Sequence, residues 1–456
     1  MNKCAPLMIS FRQFSLTRGE WSKCMPKPDY GPVEVQRSRL MNGVKVAAAK
    51  PFGAQIGSCT IMYQAGSRYE EDDEIGATHF LRAISAASSQ GYSSFAKARY
   101  LPQHGASITC TSDRQSISFT LRCPISTFPD LKNYLLDTAV RACYKDWEID
   151  DLKSIIWDDL HRIHPEQRVM DLAQRACWGG PLSNSMFCEY ERIDTMVGEN
   201  LLSFANRNMR TNCCTVASVG VPFEETLKVA EMVESRRDLP PERPCVQSFP
   251  RRGYEVYDLG PNSATWIAVV VPGCGTTDIR CLTKHAIVAA ACGTGNMAMS
   301  NHSMDSTPQT PLGLMSGGDV YTSYKAFNIS YNDTGVFGIL AKTRPVSAWN
   351  VAMAASEFLA NVGDLNFKQI EIGKQRLKLG IALNDEDCVK LGEGVALQLA
   401  NNVQMDNAKD AMALVDSITP DEISCVAKFL AAKKNDMALA VVGDISCVPH
   451  DRELIR

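Results

Sequence analysis

No apolar run in this 456-residue sequence approaches the roughly 18 residues that a membrane-spanning helix requires. The longest candidates, TWIAVVVPG and MALAVVG, have the length of single strands, so the chain is not expected to cross a membrane by itself. A charge excess is missing too. Net charge is −4, close to neutral for this size, which argues against a nucleic-acid partner. The seventeen cysteines lack CxxC pairs and zinc-finger spacing, and in a chain this long they do not describe a disulfide scaffold. Cys59, Cys110, Cys143 and Cys425 fall within apolar strand and helix patterns. They read as reduced core residues, which suits a mitochondrial matrix location. At 45% hydrophobic and 21% charged, the composition is that of a folded chain with room for two or more domains.

Acidic residues are absent from the first nineteen positions, MNKCAPLMISFRQFSLTRG, where Lys3, Arg12 and Arg18 supply the charge. Leu7, Met8, Ile9, Phe11 and Phe14 can share one helix face. An acid-free, Arg-bearing, Ser-containing amphipathic start has the character of a mitochondrial targeting peptide. Residues 1–28 are therefore set apart from the fold.

The remaining chain presents the same order of signals twice. The first half runs VKVAAAK, SCTIMYQAGSRYE, a helix, SITCTSD and SISFTLRCP, then helices and a closing strand in NCCTVASVGV. The second runs YEVYDLG, ATWIAVVVPGCG, a helix DIRCLTKHAIVAAA, YKAFNISYND and GVFGILAKT, then helices and DMALAVVGD. Gly66 pairs with Gly273, Ser116 with Gly335 and Gly220 with Gly443, at offsets of 207, 219 and 223. The first step in offset falls where the second half carries a Gly/Ser/Pro-rich loop, residues 293–320, and loops absorb insertions cheaply. The pattern predicts an α+β fold of two homologous domains, each a mainly antiparallel sheet with helices packed on one face. Their expected bounds are 34–235 and 254–456, joined by a Pro- and Arg-rich solvated linker, 236–253.

The stretch GATHFLRAISA opens a helix where chemistry is nearly written out. Zinc held on a helix needs ligands three or four residues apart, and His-x-x-Glu-His supplies two histidine ligands and a glutamate base. Here the five positions are His79, Phe80, Leu81, Arg82 and Ala83. Arginine keeps its proton at any ordinary pH and has no lone pair to offer, so Arg82 cannot serve as the base. Ala83 supplies no ligand. A third ligand from SIIWDDLHRIHPE would have to be Asp158 or Asp159, and one histidine with a distant carboxylate makes a poor zinc site. The expectation is a degenerate remnant with no catalytic residue, metal or cofactor.

The segments GSRYEEDDEIGATHFL, QHGASITCTSD and AFNISYNDTGVFGILAKT, in this order and spacing, resemble the pitrilysin-type family of zinc peptidases over residues 34–456. That family contains the mitochondrial processing peptidase and the two core proteins of respiratory complex III. The helix without Glu and the second His is most similar to the second core-protein type, whose zinc motif is also degraded. The resemblance implies a non-catalytic subunit on the matrix side of the inner membrane. It further implies a heterodimer with core protein 1, in a complex with cytochrome b, the Rieske protein and cytochrome c1. The alternative it leaves open is the non-catalytic, presequence-binding α subunit of the processing peptidase. That subunit carries a dense glycine-rich loop, whereas here five glycines are spread thinly through GTGNMAMSNHSMDSTPQTPLGLMSGGD.

Two other patterns read as structure. His161 and His164, in LHRIHPE, stand three apart, a spacing that lets helical side chains share a metal. No third ligand is near in sequence and Pro165 marks a helix end, so both are expected as cations at a helix C-terminus. Gly293, Gly295 and Ala298, in CGTGNMA, match the letters of a dinucleotide fingerprint, but a helix rather than a strand precedes them. N-terminal sequencing of the imported protein should find residues 1 to about 28 removed. An intact Met1 in the mitochondrial form would contradict the targeting reading.

Overall fold

The computed structural model describes residues 33–51, 53–234, 247–295, 310–315, 321–403 and 408–450. The expected targeting segment, most of the linker, and most of the loop 293–320, including Ala298, lie outside the described residues. Residues 33–456 form one compact unit. Within it are two large sheets that follow one plan.

The first sheet contains β1 (Glu34–Arg39), β2 (Lys45–Lys50), β3 (Ile56–Tyr63), β4 (Ser107–Ser112), β5 (Ile117–Pro124) and β6 (Cys214–Val219). Their spatial order is β1-β2-β6-β3-β5-β4, antiparallel except where β2 meets β6. The second contains β7 (Tyr254–Asp258), β8 (Thr265–Pro272), β9 (Ser323–Ser330), β10 (Gly335–Thr343) and β11 (Ala438–Gly443). These stand in the order β7-β11-β8-β10-β9, with Thr294–Gly295 paired to the outer side of β9. Here too one pair, β7 with β11, is parallel. In each sheet the last strand of the half sits between two early strands, β6 between β2 and β3 and β11 between β7 and β8, so the repeated order of signals is also a repeated topology.

Glycine explains why the paired positions match. Gly66 lies so close to the backbone of residues 113–115 that a Cβ would sit 2.4 Å from Arg114 C. Its counterpart Gly273 donates its N–H to Gly335 O at 2.7 Å, and a Cβ there would come within 3.1 Å of that backbone. Each strand therefore leaves its sheet by running against the neighbouring hairpin, which only glycine permits.

The main helical layer lies on one face of each sheet, as the alternating apolar pattern predicts. Phe80, Leu131, Leu135, Ile156 and Phe204 meet Cys59, Ile61 and Leu121 of the first sheet. Ile287, Val288, Leu359, Ile423 and Leu430 meet Ile267, Val269 and Val441 of the second. The opposite faces are apolar too, and each is crossed by a helix from the other half. Helix Pro165–Cys177 places Val169, Ala173 and Ala176 against Ala268, Val270, Ala440 and Val442. Helix Cys388–Ala400 places Val395, Ala396 and Ala400 against Ala47, Met62 and Ala217. The halves are thus clasped, where the sequence suggested a tether.

Polar groups fix the clasp. Arg114 is fully buried; Nη2 reaches Asp171 Oδ1 at 2.7 Å, and Nε donates to Leu182 O at 3.1 Å. Arg68, from GSRYE, makes a bidentate pair with Asp333, from YNDTG, both contacts at 3.0 Å. Asn332 donates its N–H to Gln115 Oε1 at 3.0 Å, and the Tyr331 hydroxyl bonds Gln174 on the crossing helix. The three segments that carried the family resemblance are therefore brought together at the junction of the halves.

Three expectations need correcting. His161 lies in the last turn of helix Asp146–Arg162, with Nδ1 2.8 Å from Trp157 O, but His164 is not on that helix. It caps the start of the next one, its Nδ1 accepting from Glu166 N–H at 3.2 Å, because Pro165 fits the first helical position and stops the helix before it. Cys425 is exposed on its helix, and Cys143 lies half-buried outside any helix or strand, so neither is a core residue. No helix of the described residues is long and apolar enough to cross a membrane.

The alanines of the crossing helices, pressed on the sheets, leave no room for larger side chains. Ala173→Leu and Ala396→Leu, each at a fully buried position, should cost about 1–3 kcal/mol by overpacking. A urea titration measures this; an unchanged midpoint in both variants would contradict the close apposition.

Candidate functional site

The first helix, Ala77–Ile84, begins at Gly76, which takes a left-handed φ of +96°. A Cβ there would lie 2.7 Å from Cys188 Sγ, so the turn needs glycine for both conformation and space. Glu70 closes the helix N-terminus by accepting from Gly76 N–H at 3.0 Å, Thr78 N–H at 2.8 Å and the Thr78 hydroxyl at 2.7 Å. Burial pushes the Glu70 carboxyl up to about 7 against those three hydrogen bonds, which favour the ionised form. The acidic run after GSRYE is thus partly spent on the helix end. Glu71 and Glu74 hold Arg207 from helix Gly198–Asn208.

His79 is 1% exposed. Its Nδ1 accepts from Cys188 N–H at 3.2 Å, which places the imidazole proton on Nε2. Nε2 faces Asp159 Oδ2 at 3.9 Å, and the ring meets Phe187 edge-on at 6.0 Å. Burial, reinforced by the Arg82 charge, pushes the imidazole down to about 3, so it is neutral at any ordinary pH. Neither ring nitrogen therefore presents a free lone pair. Nδ1 receives a backbone proton, and Nε2 carries its own.

Arg82 stands half-buried where a base would stand. Its Nη1 donates to Ser112 Oγ at 3.1 Å, and its guanidinium lies 5.8 Å from the Phe187 ring centre. Such a group ties the helix to edge strand β4 and offers no lone pair. Ala83 packs half-buried against the first core. Of the two aspartates proposed from sequence, Asp159 reaches His79, while Asp158 points away and pairs with Arg162 at 3.0 Å. The remnant thus comes together spatially as a packing and hydrogen-bonding cluster. It has one histidine, one exposed carboxylate and a cation, and this is not a donor set for zinc.

Gly293 ends helix Ile279–Cys292 with a φ of +76°, and Gly295 pairs with Tyr324, so neither opens a helix under a phosphate. Sequence reasoning missed one grouping. Cys274, Cys281 and His285 bring their ligand atoms within 4.8 Å of one another, the only such set of three among the described residues. The spacing C-x6-C-x3-H runs from a strand exit through a turn into a helix. Only the cysteine and histidine four apart on one helix gave any signal.

Residues 45–189 match the model of the insulinase family, peptidase family M16. The chain is 23% identical to human "Cytochrome b-c1 complex subunit 2, mitochondrial", an alignment covering 93% of this chain and 92% of that protein. It is 24% identical to "Mitochondrial-processing peptidase subunit alpha" of Solanum tuberosum, covering 93% and 85%. A β subunit of that peptidase from Neurospora crassa is 21% identical, covering 91% and 88%.

The buried neutral imidazole makes a pH prediction. An unfolded histidine binds its proton near 6.5 and folded His79 near 3, so stability is full above about pH 6.5 and declines as pH falls toward 3. The loss should reach about 2 kcal/mol at pH 5. In His79→Gln that part of the slope should vanish, as read from urea midpoints between pH 7 and 5. An identical slope in the variant would contradict the assignment.

Proposed function

We propose that this chain, which carries a domain of peptidase family M16, works without catalysis as the second core subunit of mitochondrial complex III. On this reading it is peripheral on the matrix side of the inner membrane. It pairs with core protein 1 and supports a complex containing cytochrome b, the Rieske protein and cytochrome c1. Electron transfer from ubiquinol to cytochrome c runs through those other subunits, and this chain supplies shape and assembly.

The carrying observation is the state of the first helix. Arg82 occupies the position of the base, Ala83 that of a ligand, and the remaining histidine is neutral with no free lone pair. The near full-length similarity to the human complex subunit adds the direction of the assignment. The absence of a spanning helix among the described residues is compatible with peripheral attachment.

The second reading is the α subunit of the processing peptidase, binding presequences without cutting them. The similarity to the Solanum tuberosum subunit favours it to a comparable degree. The thin distribution of glycines through residues 293–320 weighs against it.

Gentle solubilisation of mitochondria and isolation of the native assembly separates the two. Co-purification with cytochrome b and the Rieske protein supports the complex III reading, and Arg82→Ala should then leave ubiquinol–cytochrome c reductase turnover unchanged. A soluble pair with a zinc peptidase overturns it in favour of the second.

A further inference from the structure

We propose that Cys274, Cys281 and His285 form a zinc site in the second half, independent of the degenerate first helix and of either functional reading. Two thiolates and an imidazole are a donor set for zinc, and three protein ligands leave a fourth position to water. The two cysteines are half-exposed and His285 is buried, so the cluster has a protein side and a solvent side.

The scaffold around the three residues is fixed. Cys274 follows β8 directly, between two glycines held against neighbouring backbone. A Cβ on Gly273 would lie 3.1 Å from Gly335 C, and one on Gly275 would lie 2.7 Å from Asn332 O. Thr276 N–H donates to Tyr331 O at 2.7 Å, which closes the turn. Asp278 then caps helix Ile279–Cys292 by accepting from Arg280 N–H at 2.9 Å and Cys281 N–H at 3.1 Å. With Cys281 in the first turn, His285 falls four residues on, over the same face. The Cys281 thiol thus stands beside the imidazole, its Sγ 3.7 Å from Nδ1, and all three residues bring a ligand atom within 4.8 Å of the other two.

The histidine has an unspent lone pair. Nδ1 lies 2.9 Å from Cys281 O, and a proton donated there leaves the lone pair on Nε2. Nε2 is fully buried and meets no partner. Histidines that bind metals usually give their other ring proton to a carbonyl or carboxylate in this way.

Charge balance is met. Binding replaces two thiol protons with Zn²⁺ and releases both to solvent, giving a neutral Zn(S⁻)₂(His) group. Lys433 is the nearby cation, donating to Pro272 O at 3.0 Å, and a neutral metal group does not repel it. Ser330 Oγ, 4.0 Å from Cys274 Sγ, is the other polar neighbour. The expectation of no metal rested on His79 and on the lack of CxxC pairs, and neither observation reaches this cluster.

The test uses the full chain, purified reduced and metal-free, with Co²⁺ as the spectroscopic probe and Zn²⁺ as competitor. One equivalent of Co²⁺ should give a thiolate-to-cobalt charge-transfer band that Zn²⁺ abolishes. Cys274→Ser, Cys281→Ser and His285→Asn should each weaken the band and the affinity. His79→Gln should bind as the parent chain does. Without any variant, Zn²⁺ should protect Cys274 and Cys281 from alkylation, read by peptide mass. Absence of the band overturns the proposal, as does a band that survives both cysteine substitutions or alkylation indifferent to Zn²⁺.

Discussion

Each sheet has a second apolar face that its own half leaves open, and the helix that closes it comes from the other half. Ala268, Val270, Ala440 and Val442 would meet water without helix Pro165–Cys177, and Ala47, Met62 and Ala217 without helix Cys388–Ala400. A strand apolar on both sides needs cover on both sides. Neither half can therefore move off the other without exposing a contiguous hydrophobic surface. Alanines are prominent among the contact residues on both sheets, which lets the crossing helices sit close. Where the helix adds a glycine, Gly392, a Cβ would come within 3.0 Å of Ser58 Oγ.

The polar contacts at the junction follow from this arrangement. Arg114 and Asp171 are both nearly inaccessible, and removing one partner of such a pair typically costs 3–5 kcal/mol because the other stays buried and unpaired. Asp171 lies on a crossing helix, so the pair locks that helix to the half it comes from while its apolar face serves the other half. Arg68–Asp333 joins the halves directly. None of these contacts depends on the first helix carrying chemistry. That helix is held by Glu70 at its start and by Phe80, Leu81 and Ile84 in the core, and Arg82 adds a bond to β4. A scaffold secured in this way tolerates the loss of base and ligand without losing its shape.

Much of this was legible in the sequence. The strand order of signals, the duplication, the glycines at the strand exits and the missing base all follow from local pattern and side-chain chemistry. The identity of the sheet that each crossing helix covers did not. Val169, Ala173 and Ala176 mark an apolar stripe, but a stripe does not say which surface it meets. The Arg68–Asp333 pair joins residues 265 apart, beyond any periodicity. His164 illustrates a local ambiguity, since proline both ends one helix and begins the next. The Cys274–Cys281–His285 cluster escaped because its members sit on a strand exit and a helix, and no fixed spacing describes that junction.

Hydrogen exchange of the full chain, followed amide by amide, tests the clasp most directly. The account predicts that the central strands β3 and β5 of one sheet and β8 and β10 of the other exchange through a common opening, with free energies equal within about 1 kcal/mol. Protection that is several-fold lower throughout one sheet while the other stays closed would mean that the halves open separately. That result would contradict the mutual covering on which the structure is held to depend.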